Sequence, residues 1–467
     1  MSTAEKIKSA LPVESWTEDA DRIAPRLVEW RGLFRGKTPL MATPRSTDEV
    51  AAIVRICAED KTTLVIQSGN TGLVGGGTPD ETGEEILLTL DRMNRVRDVD
   101  AANYTLTAEA GCTVAAVQEA ALDENRFFAL SLASEGTAGL AGVISTNAGG
   151  VDVLRYGTMR DQVLGLEVVL PDGRIWNGLS SLRKDNTGYD LKQLFIGAEG
   201  TLGIVTAAVI KLYPRPVSRA TAFVAVPNPK AAISLLALAR EITGDRVSAF
   251  ELMGRQPLDL VLRHIPDTRD PLDAAATWYV LIEATSPAAD SDLDTCFERF
   301  LAAALEKDLV SDGAIAQSST QADAFWKLRE SMSEAQKIEG PSIKHDVSVP
   351  VSSVPVFIDR ASKAVTDVIK GARPVPFGHV GDGNVHFNIS APEGGDGQAF
   401  LARWQDVNRI VHDIVVDLGG SISAEHGIGR LKRDDLAHYK DPLSLELMRT
   451  LKATMDPDGI LNRNRII

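Results

Sequence analysis

The fold is decided by Gln67-Ser68-Gly69-Asn70-Thr71-Gly72-Leu73-Val74-Gly75-Gly76-Gly77. This stretch has five glycines in eleven residues and follows a short apolar run, Thr63–Ile66, that predicts a strand. Glycine lets backbone N–H groups turn inward and approach an anion closely, so the stretch predicts a nest for a pyrophosphate. Its spacing differs from the Gly-x-Gly-x-x-Gly fingerprint.

The sequence on either side of this loop predicts alternating helices and strands. A helix is expected from Ser46 through Ala58, because Ser-Thr-Asp-Glu is a typical helix start. Further strands are expected at residues 86–90, 164–170 and 202–212, and Pro214 and Pro216 then stop regular structure. Two more runs of small residues, 134–150 and 197–203, lie between these strands. One such loop could equally be a surface turn, whereas three together favour a large cofactor.

The remaining sequence predicts a second domain of mixed composition. Strand-like runs at residues 220–226 and 277–283 alternate with alanine-rich helical stretches at 230–242 and 292–306. We expect an antiparallel sheet with helices on one side. A turn at residues 392–397 precedes a helical stretch at 399–418.

Composition limits the class of protein. The chain has 467 residues, 44% apolar and 24% charged, with a formal charge of −15. This charge argues against nucleic acid as a partner, because such partners require basic surfaces. No stretch resembles a secretory signal or a transmembrane segment. The three cysteines lie far apart, so neither a disulfide framework nor a cysteine zinc site is indicated, and a cytoplasmic location is expected.

Two glycine-rich segments in the second half supply three histidines and a glutamate. The first, residues 377–388, places His379 and His386 around a turn between two predicted strands. The second, residues 423–429, supplies Glu425 and His426. A single histidine is more often a hydrogen-bonded core residue. Two histidines with one carboxylate, however, are an established ligand set for a catalytic metal with open positions.

Together these motifs resemble a known family. The segments Gly69–Gly76, Ser145–Gly150 with Arg155–Gly157, and Gly200–Ile204 resemble the FAD-binding domain of the vanillyl-alcohol-oxidase type. The two histidine-containing segments resemble its D-2-hydroxyglutarate and D-lactate dehydrogenase branch. The resemblance covers nearly the whole chain and implies an α+β fold. The implied fold comprises a two-subdomain FAD-binding domain (1–216), a substrate or cap domain with an antiparallel sheet (217–420), and a C-terminal segment (421–467) that returns to the FAD domain.

The resemblance also implies where FAD is held. The expected contacts are Gly69, Asn70, Thr71, Gly72, Leu73, Ser134, Gly139, Gly142, Ser145, Gly149, Ile204 and Asn462. Some relatives tether the flavin through a histidine of the FAD domain. No histidine precedes His264 here, so we expect FAD to be bound non-covalently.

For the histidine segments, the resemblance implies a metal-assisted oxidation. It assigns His379, His386 and Glu425 as ligands of zinc or manganese, and His426 as the catalytic base. Oxidation of a secondary alcohol removes a proton from oxygen and a hydride from carbon. The metal would lower the pKa of the hydroxyl, the imidazole would take the proton and flavin N5 would accept the hydride.

Four further residues are expected to bind the substrate. Arg329 and Ser333 are four residues apart and are predicted to share a helical face. Lys344 lies on a predicted strand, and Asn384 lies beside the histidines. By composition alone the first three would be solvated surface residues, and Asn384 could simply support the turn. The resemblance places all four in the substrate pocket, where arginine offers a planar fork and lysine a point charge.

The sequence therefore favours a D-2-hydroxyglutarate dehydrogenase, with D-lactate or a glycolate-type acid as the nearest alternative substrate. An NADPH-dependent FAD reductase acting on a sugar nucleotide shares the FAD architecture but gives no role to the metal set. A flavin- or metal-storage protein is the non-enzymatic alternative. The resemblance suggests electron-transferring flavoprotein or a quinone as electron acceptor, and the sequence leaves open whether the chain is monomeric or homodimeric.

Overall fold

The computed structural model describes residues 1–467 and divides the chain into two compact units. The first unit contains Met1–Gly149, Gly157–Arg215 and Glu425–Ile467. The second contains Gly150–Tyr156 and Pro216–Ala424. A short segment of the predicted FAD-binding region thus belongs to the second unit, where Arg155 donates to the Thr285 carbonyl at 2.7 Å.

The first unit begins with a small sheet that positions the glycine loop. Its four strands follow the order β1-β2-β4-β3. Strand β4 is parallel to both β2 and β3. The strands are β1 (Trp16–Thr17), β2 (Met41–Ala42), β3 (Leu64–Gln67) and β4 (Ile86–Thr89). The loop leaves the carboxyl end of β3, where ligands of parallel sheets commonly bind.

A five-stranded antiparallel sheet completes the N-terminal part of this unit, in the order β5-β6-β10-β8-β9. Its strands are β5 (Val96–Asp100), β6 (Thr105–Glu109), β8 (Val163–Val169), β9 (Ile175–Gly178) and β10 (Ile204–Lys211). A separate two-stranded sheet pairs β7 (Arg126–Phe127) with β11 (Tyr213–Pro214).

Seven helices lie within residues 1–162, and all but the sixth belong to the first unit. They are α1 (Thr3–Ala10), α2 (Ala20–Ile23), α3 (Thr47–Asp60), α4 (Val114–Asp123), α5 (Leu140–Ser145), α6 (Val153–Tyr156) and α7 (Met159–Gln162). Helix α3 begins where the sequence predicted, because the Ser46 side chain accepts from the Glu49 amide at 3.2 Å. Its buried face, which includes Val50 and Ile53, packs into the first core.

The second unit is built on one antiparallel sheet of eight strands. The order is β15-β12-β14-β13-β18-β19-β16, and β17 also pairs with β19. The strands are β12 (Ser218–Val226), β13 (Val247–Gly254), β14 (Trp278–Ser286), β15 (Asp312–Ile315), β16 (Ser342–Ile343), β17 (Asp346–Ser348), β18 (Arg373–Gly378) and β19 (Asn384–Ser390).

Helices cover both faces of this sheet, so the prediction of helices on one side is wrong. On one face, Leu235 and Phe357 share a core with Val224 of β12. On the other face, Leu258 and Phe325 pack with Phe223, the preceding residue of the same strand. The helices are α8 (Pro229–Thr243), α9 (Arg255–His264), α10 (Leu293–Glu306), α11 (Ser319–Glu330), α12 (Met332–Glu339), α13 (Val354–Val368), α14 (Gly397–Leu401) and α15 (Trp404–Asp417). Strands buried on both faces are apolar at successive positions, as in β13.

The C-terminal segment adds two helices, α16 (Arg433–Tyr439) and α17 (Pro442–Met455), to the first unit. Its tail then pairs with β3, since Leu461 forms a parallel bridge with Leu64. Arg465 is buried and its guanidinium lies 2.9 Å from the Glu85 carboxylate. None of the 17 helices is both long and apolar enough to span a bilayer.

Candidate active site

The glycine loop after β3 is fixed on one side and open on the other. Gly69 has a φ of +74°, and a Cβ there would overlap the carbonyl oxygen of Thr137. Asn70 is also left-handed, and its side-chain amide donates to the carbonyls of Pro25 and Val28 at 3.3 and 3.1 Å. By contrast, nothing lies within 4 Å of a Cβ built on Gly72. The loop can therefore receive a ligand at Gly72 while Gly69 fits only its own neighbours.

The second glycine run packs against the first. Gly139 precedes α5, and a Cβ there would overlap Ser68 Oγ. A Cβ on Gly142 would lie 3.1 Å from the Ser68 carbonyl oxygen. The sequence predicted that these small residues contact a flavin ring or a ribityl chain. In the structure, the contact between the two loops leaves little room for a larger side chain at either position.

The other expected FAD residues also lie in the first unit. Ser145 ends α5, and Ile204 begins β10. Asn462 in the tail donates to the Glu199 carbonyl at 2.7 Å and accepts from the Ile66 amide at 3.0 Å. Thr71, Leu73, Ser134 and Gly149 lie in the loops that connect these elements. The open space at Gly72 and Gly136 and the surrounding small residues fit a large cofactor.

Glu199, which the sequence reading did not single out, holds the segment that follows His426. Its two carboxylate oxygens accept from the backbone amides of Ile428 and Gly429 at 2.7 and 2.8 Å. Its own amide donates to the Ser145 carbonyl. Burial raises the pKa of Glu199, and the two amides oppose that shift. One side chain thus joins the third glycine loop to the backbone beyond the predicted base.

In the second unit, β18 and β19 bring two histidines together. His379 follows the last residue of β18, Gly378, whose φ is +154°, and His386 is the third residue of β19. The two ring centroids are 5.7 Å apart, with planes at 77°. A ligand nitrogen of each ring lies within 4.8 Å of one in the other. The predicted convergence of these two imidazoles is present.

A buried carboxylate on β13 orients the first of these histidines. Glu251 Oε1 lies 2.6 Å from Nδ1 of His379, and Glu251 Oε2 lies 2.6 Å from Nε of Arg329. Burial by itself would raise the pKa of Glu251, but the charges of His379 and Arg329 lower it to about 2. A carboxylate on the far ring nitrogen is the usual outer partner of a metal-binding histidine, so the pair fits a zinc or manganese ion.

Asn384 and Asp346 border the second histidine. Asn384 donates to the Asp346 carboxylate at 2.9 Å, and the same carboxylate lies 3.8 Å from Nδ1 of His386. Asn384 Oδ1 is buried and has no hydrogen-bond partner, as expected of an atom that faces a ligand. The Ala424 amide donates to the Asp346 carbonyl, so the chain reaches Glu425 directly from this strand.

The predicted substrate anchors lie on separate elements. Arg329 is in α11 and is buried, whereas Ser333 is in α12 and is exposed. The predicted shared helical face is therefore wrong, because the helix is interrupted at Ser331. Lys344 is half-buried between β16 and β17. The Arg329 guanidinium lies over the Phe377 ring at 5.0 Å, and its Nη2 is buried without a hydrogen-bond partner.

Glu251 and Asp346 were missed by the sequence interpretation. A signal for Glu251 was present, because it is the only charged residue in β13. Charged residues are almost never fully buried unless paired. The sequence alone could not name its partners.

Comparisons with known proteins agree with this arrangement. Residues 38–178 match the FAD binding domain model, and residues 215–466 match the model of FAD linked oxidases, C-terminal domain. The mitochondrial D-2-hydroxyglutarate dehydrogenase of Arabidopsis thaliana is 37% identical over 98% of this chain and 80% of its own. The chain belongs to the FAD-linked oxidase family, in its D-2-hydroxyglutarate and D-lactate dehydrogenase branch. It is an oxidoreductase, and the predicted family and enzyme class are confirmed.

Other relatives of this FAD-linked oxidase have related names. The mitochondrial D-2-hydroxyglutarate dehydrogenase of Bos taurus is 38% identical over 96% of this chain and 80% of its own. A putative mitochondrial D-lactate dehydrogenase of Schizosaccharomyces pombe is 35% identical, with 93% and 82% coverage. The predicted cytoplasmic location is wrong, since these relatives are named as mitochondrial. Separate cysteines indicate a reducing compartment without identifying it.

Solved structures confirm the predicted fold of the FAD-linked oxidase. p-Cresol methylhydroxylase with substrate bound superposes with a TM-score of 0.75 at 16% identity, over 99% of this chain and 96% of that one. Alkyldihydroxyacetonephosphate synthase gives 0.74 at 18% identity, over 98% and 84%. At these identities the likeness concerns the fold alone.

Proposed function

We propose that this FAD-linked oxidase is a metal-dependent dehydrogenase that converts a D-2-hydroxy acid to the 2-oxo acid, with D-2-hydroxyglutarate as the first candidate. The observation that carries the proposal is the pair His379 and His386, with the first ring held by Glu251. Two histidines that only filled the hydrophobic core would not require a carboxylate such as Glu251 on a ring nitrogen. An NADPH-dependent FAD reductase would leave the pair without a role.

The proposed cofactors are non-covalent FAD and one zinc or manganese ion. FAD would be held by the glycine loops of the first unit, and the ion by His379, His386 and Glu425. When bound, FAD accepts the hydride and the divalent ion acidifies the substrate hydroxyl. Glu425 follows directly after Ala424, whose amide donates to the Asp346 carbonyl. This covalent placement supports Glu425 as the third ligand.

The proton would be taken by His426. Its position depends on the segment that follows, where Gly427 has a φ of +79° and Glu199 holds the next two amides. A base attached to a fixed backbone loses little orientational freedom when the substrate arrives. Glu199 therefore supports the proposed role of His426 without touching the reacting atoms.

The substrate carboxylates would be bound by Arg329 and Lys344, with Asn384 on the hydroxyl or a carboxylate. Arg329 retains a buried Nη2 without a partner, which is the state expected of a site prepared for an anion. In a chain of net charge −15, such local positive groups are what an anionic substrate requires. Ser333 is the weakest member of this proposed set, because it is exposed.

D-Lactate is the second candidate, because one relative named as a putative D-lactate dehydrogenase matches at 35% identity. The two acids share the hydroxyl and the C1 carboxylate and differ in the distal group. Electron-transferring flavoprotein or a quinone is the proposed acceptor. Neither choice changes the roles proposed for the histidines.

An anaerobic screen of D- and L-hydroxy acids tests the proposal. D-2-Hydroxyglutarate should bleach the visible absorbance of the flavin, its L-isomer should not, and acid denaturation should release all of the FAD. Bleaching by no D-2-hydroxy acid would contradict the proposed activity. Flavin that stayed with the precipitated chain would contradict non-covalent binding alone.

A further inference from the structure

Glu251 is fully buried on the central strand β13, with an exposure of 0%. Removing a carboxylate from water is unfavourable unless partners replace its hydration. Both of its oxygens have such a partner at 2.6 Å, one from His379 and one from Arg329. It therefore contacts one proposed metal ligand and one proposed substrate anchor at the same time.

These two contacts fix where the protons lie. The Nε–H of Arg329 can only donate, and an ionised carboxylate can only accept. The guanidinium of Arg329 is always charged, and its 2.6 Å contact with Oε2 is a charge-assisted hydrogen bond to the carboxylate form of Glu251. The proton of a neutral His379 ring must then be on Nδ1. The lone pair that a metal requires is left on Nε2.

We propose that Glu251 is a positioning residue that holds His379 in the Nδ1-protonated tautomer for metal binding and fixes the fork of Arg329. The inference rests on the proposed function, in which His379 is a metal ligand. It explains why a charge lies on a strand whose other seven residues carry none. It also explains why Arg329 directs one nitrogen at a protein carboxylate and keeps Nη2 without a partner.

The substitution Glu251→Gln discriminates well, because it keeps the shape and removes one acceptor. An amide oriented with its oxygen on Arg329 turns its NH₂ toward His379, which forces the proton of that ring onto Nε2. In the reverse orientation, the amide NH₂ points at the Nε–H of Arg329, so two hydrogen-bond donors face each other. In both orientations the negative charge that raises the basicity of His379 is gone. Loss of such an outer partner typically weakens metal binding about 10- to 100-fold.

The neighbouring strand offers a matched control. Glu283 on β14 is also a largely buried carboxylate that contacts an arginine, Arg219, at 2.7 Å, and it accepts from Trp326 Nε1 at 2.7 Å. Glu283→Gln therefore reports how much a lost carboxylate in this sheet affects the site indirectly.

The test measures the zinc dissociation constant of the FAD-loaded full chain by competition with a fluorescent chelator. We expect Glu251→Gln to weaken zinc binding about 10- to 100-fold, Glu251→Asp to recover part of the loss, and Glu283→Gln to bind as the parent does. FAD content and the thermal transition report folding. If Glu251→Gln does not retain FAD, Glu251→Asp decides the question. Its shorter side chain withdraws the carboxylate from His379, so this variant should still bind zinc more weakly than the parent.

Parent-like zinc affinity in Glu251→Gln would overturn the inference while leaving the metal site in place. An equal loss in Glu283→Gln would overturn it as well, since the effect would then belong to the sheet. A parent chain that carries FAD but takes up no zinc would overturn both the inference and the metal part of the proposed function. Bleaching by a D-2-hydroxy acid in that same chain would still support the dehydrogenase activity.

Discussion

His426 lies between a proposed metal ligand and a glycine whose left-handed backbone re-aims the chain. We expect His426→Ala to slow flavin reduction by roughly 10² to 10⁴, because a base that shares the proton in the transition state contributes about that much. Substrate binding should suffer less. Stopped-flow reduction measures both, and His438→Ala, at an exposed histidine of α16, is the matched control. Parent-like reduction in the His426 variant would remove this residue from the mechanism.

The distal group of the substrate separates the two candidate acids. Losing a charge-assisted hydrogen bond costs about 1.5 to 3 kcal/mol, or about 10- to 150-fold in kcat/KM. If Lys344 or Arg329 binds the distal carboxylate, its change to alanine should cost more on D-2-hydroxyglutarate than on D-lactate. Equal losses on both acids for both variants would exclude a distal anchor at these positions.

Arg329→Ala also carries a cost in stability that Lys344→Ala does not share. It would leave the buried Glu251 carboxylate with one partner fewer, and breaking a buried pair commonly costs about 3 to 5 kcal/mol. Kinetic comparisons are therefore cleaner with Lys344→Ala.

The low pKa of Glu251 predicts a sensitivity to acid. A carboxyl whose folded-state pKa is about 2, against an ordinary 4.5, contributes stability above its unfolded pKa. That contribution is lost as the pH falls from about 4.5 toward about 2. In metal-free protein, the free energy of unfolding of the parent should therefore fall more steeply with acid than that of Glu251→Gln, by an amount on the order of 1 to 3 kcal/mol. Thermal melts of both proteins across this pH range measure the difference. Parallel pH profiles would refute the ionised, paired state.

At the scale of an element, the loop after β3 contains two glycines with different roles. Gly69→Ala would meet the Thr137 carbonyl in a left-handed conformation, so it should lower the stability of the apoprotein. Gly72→Ala has open space around its Cβ and should leave apoprotein stability unchanged. If the loop cradles the pyrophosphate, Gly72→Ala should instead weaken FAD binding. Thermal melts and FAD titration of the two apoproteins measure the difference, and identical effects of both changes would contradict it.

At the scale of the whole molecule, the two proposed cofactors are bound by separate sets of residues. The FAD loops belong to the first unit, whereas His379 and His386 belong to the second. We therefore expect exhaustive chelation to abolish turnover and leave FAD bound, and added zinc or manganese to restore activity. Metal analysis, the flavin spectrum and turnover on one sample measure this. Full activity in a chain shown to be free of metal would exclude the metal from the reaction.

Several features were determined by the sequence alone. The strand and glycine-rich loop at residues 64–77, the helix that begins after Ser46, and the two histidines around a turn are all encoded by neighbours in the chain. Capping residues, glycine density and apolar runs act over a few residues, so the pattern shows them directly. The same local motifs carried the family resemblance, and with it the expected cofactor and ligands.

Other features were decided only by the tertiary structure. Glu251 and His379 are 128 residues apart, and only the pairing of β13 with β18 brings that carboxylate to the imidazole. Gly139 packs against Ser68, a residue of a distant loop whose hydroxyl occupies the place that a Cβ would take. The interruption at Ser331 turns Ser333 outward while Arg329 stays buried. A local pattern specifies propensity and spacing, whereas burial and pairing depend on which distant segments the folded chain brings into contact.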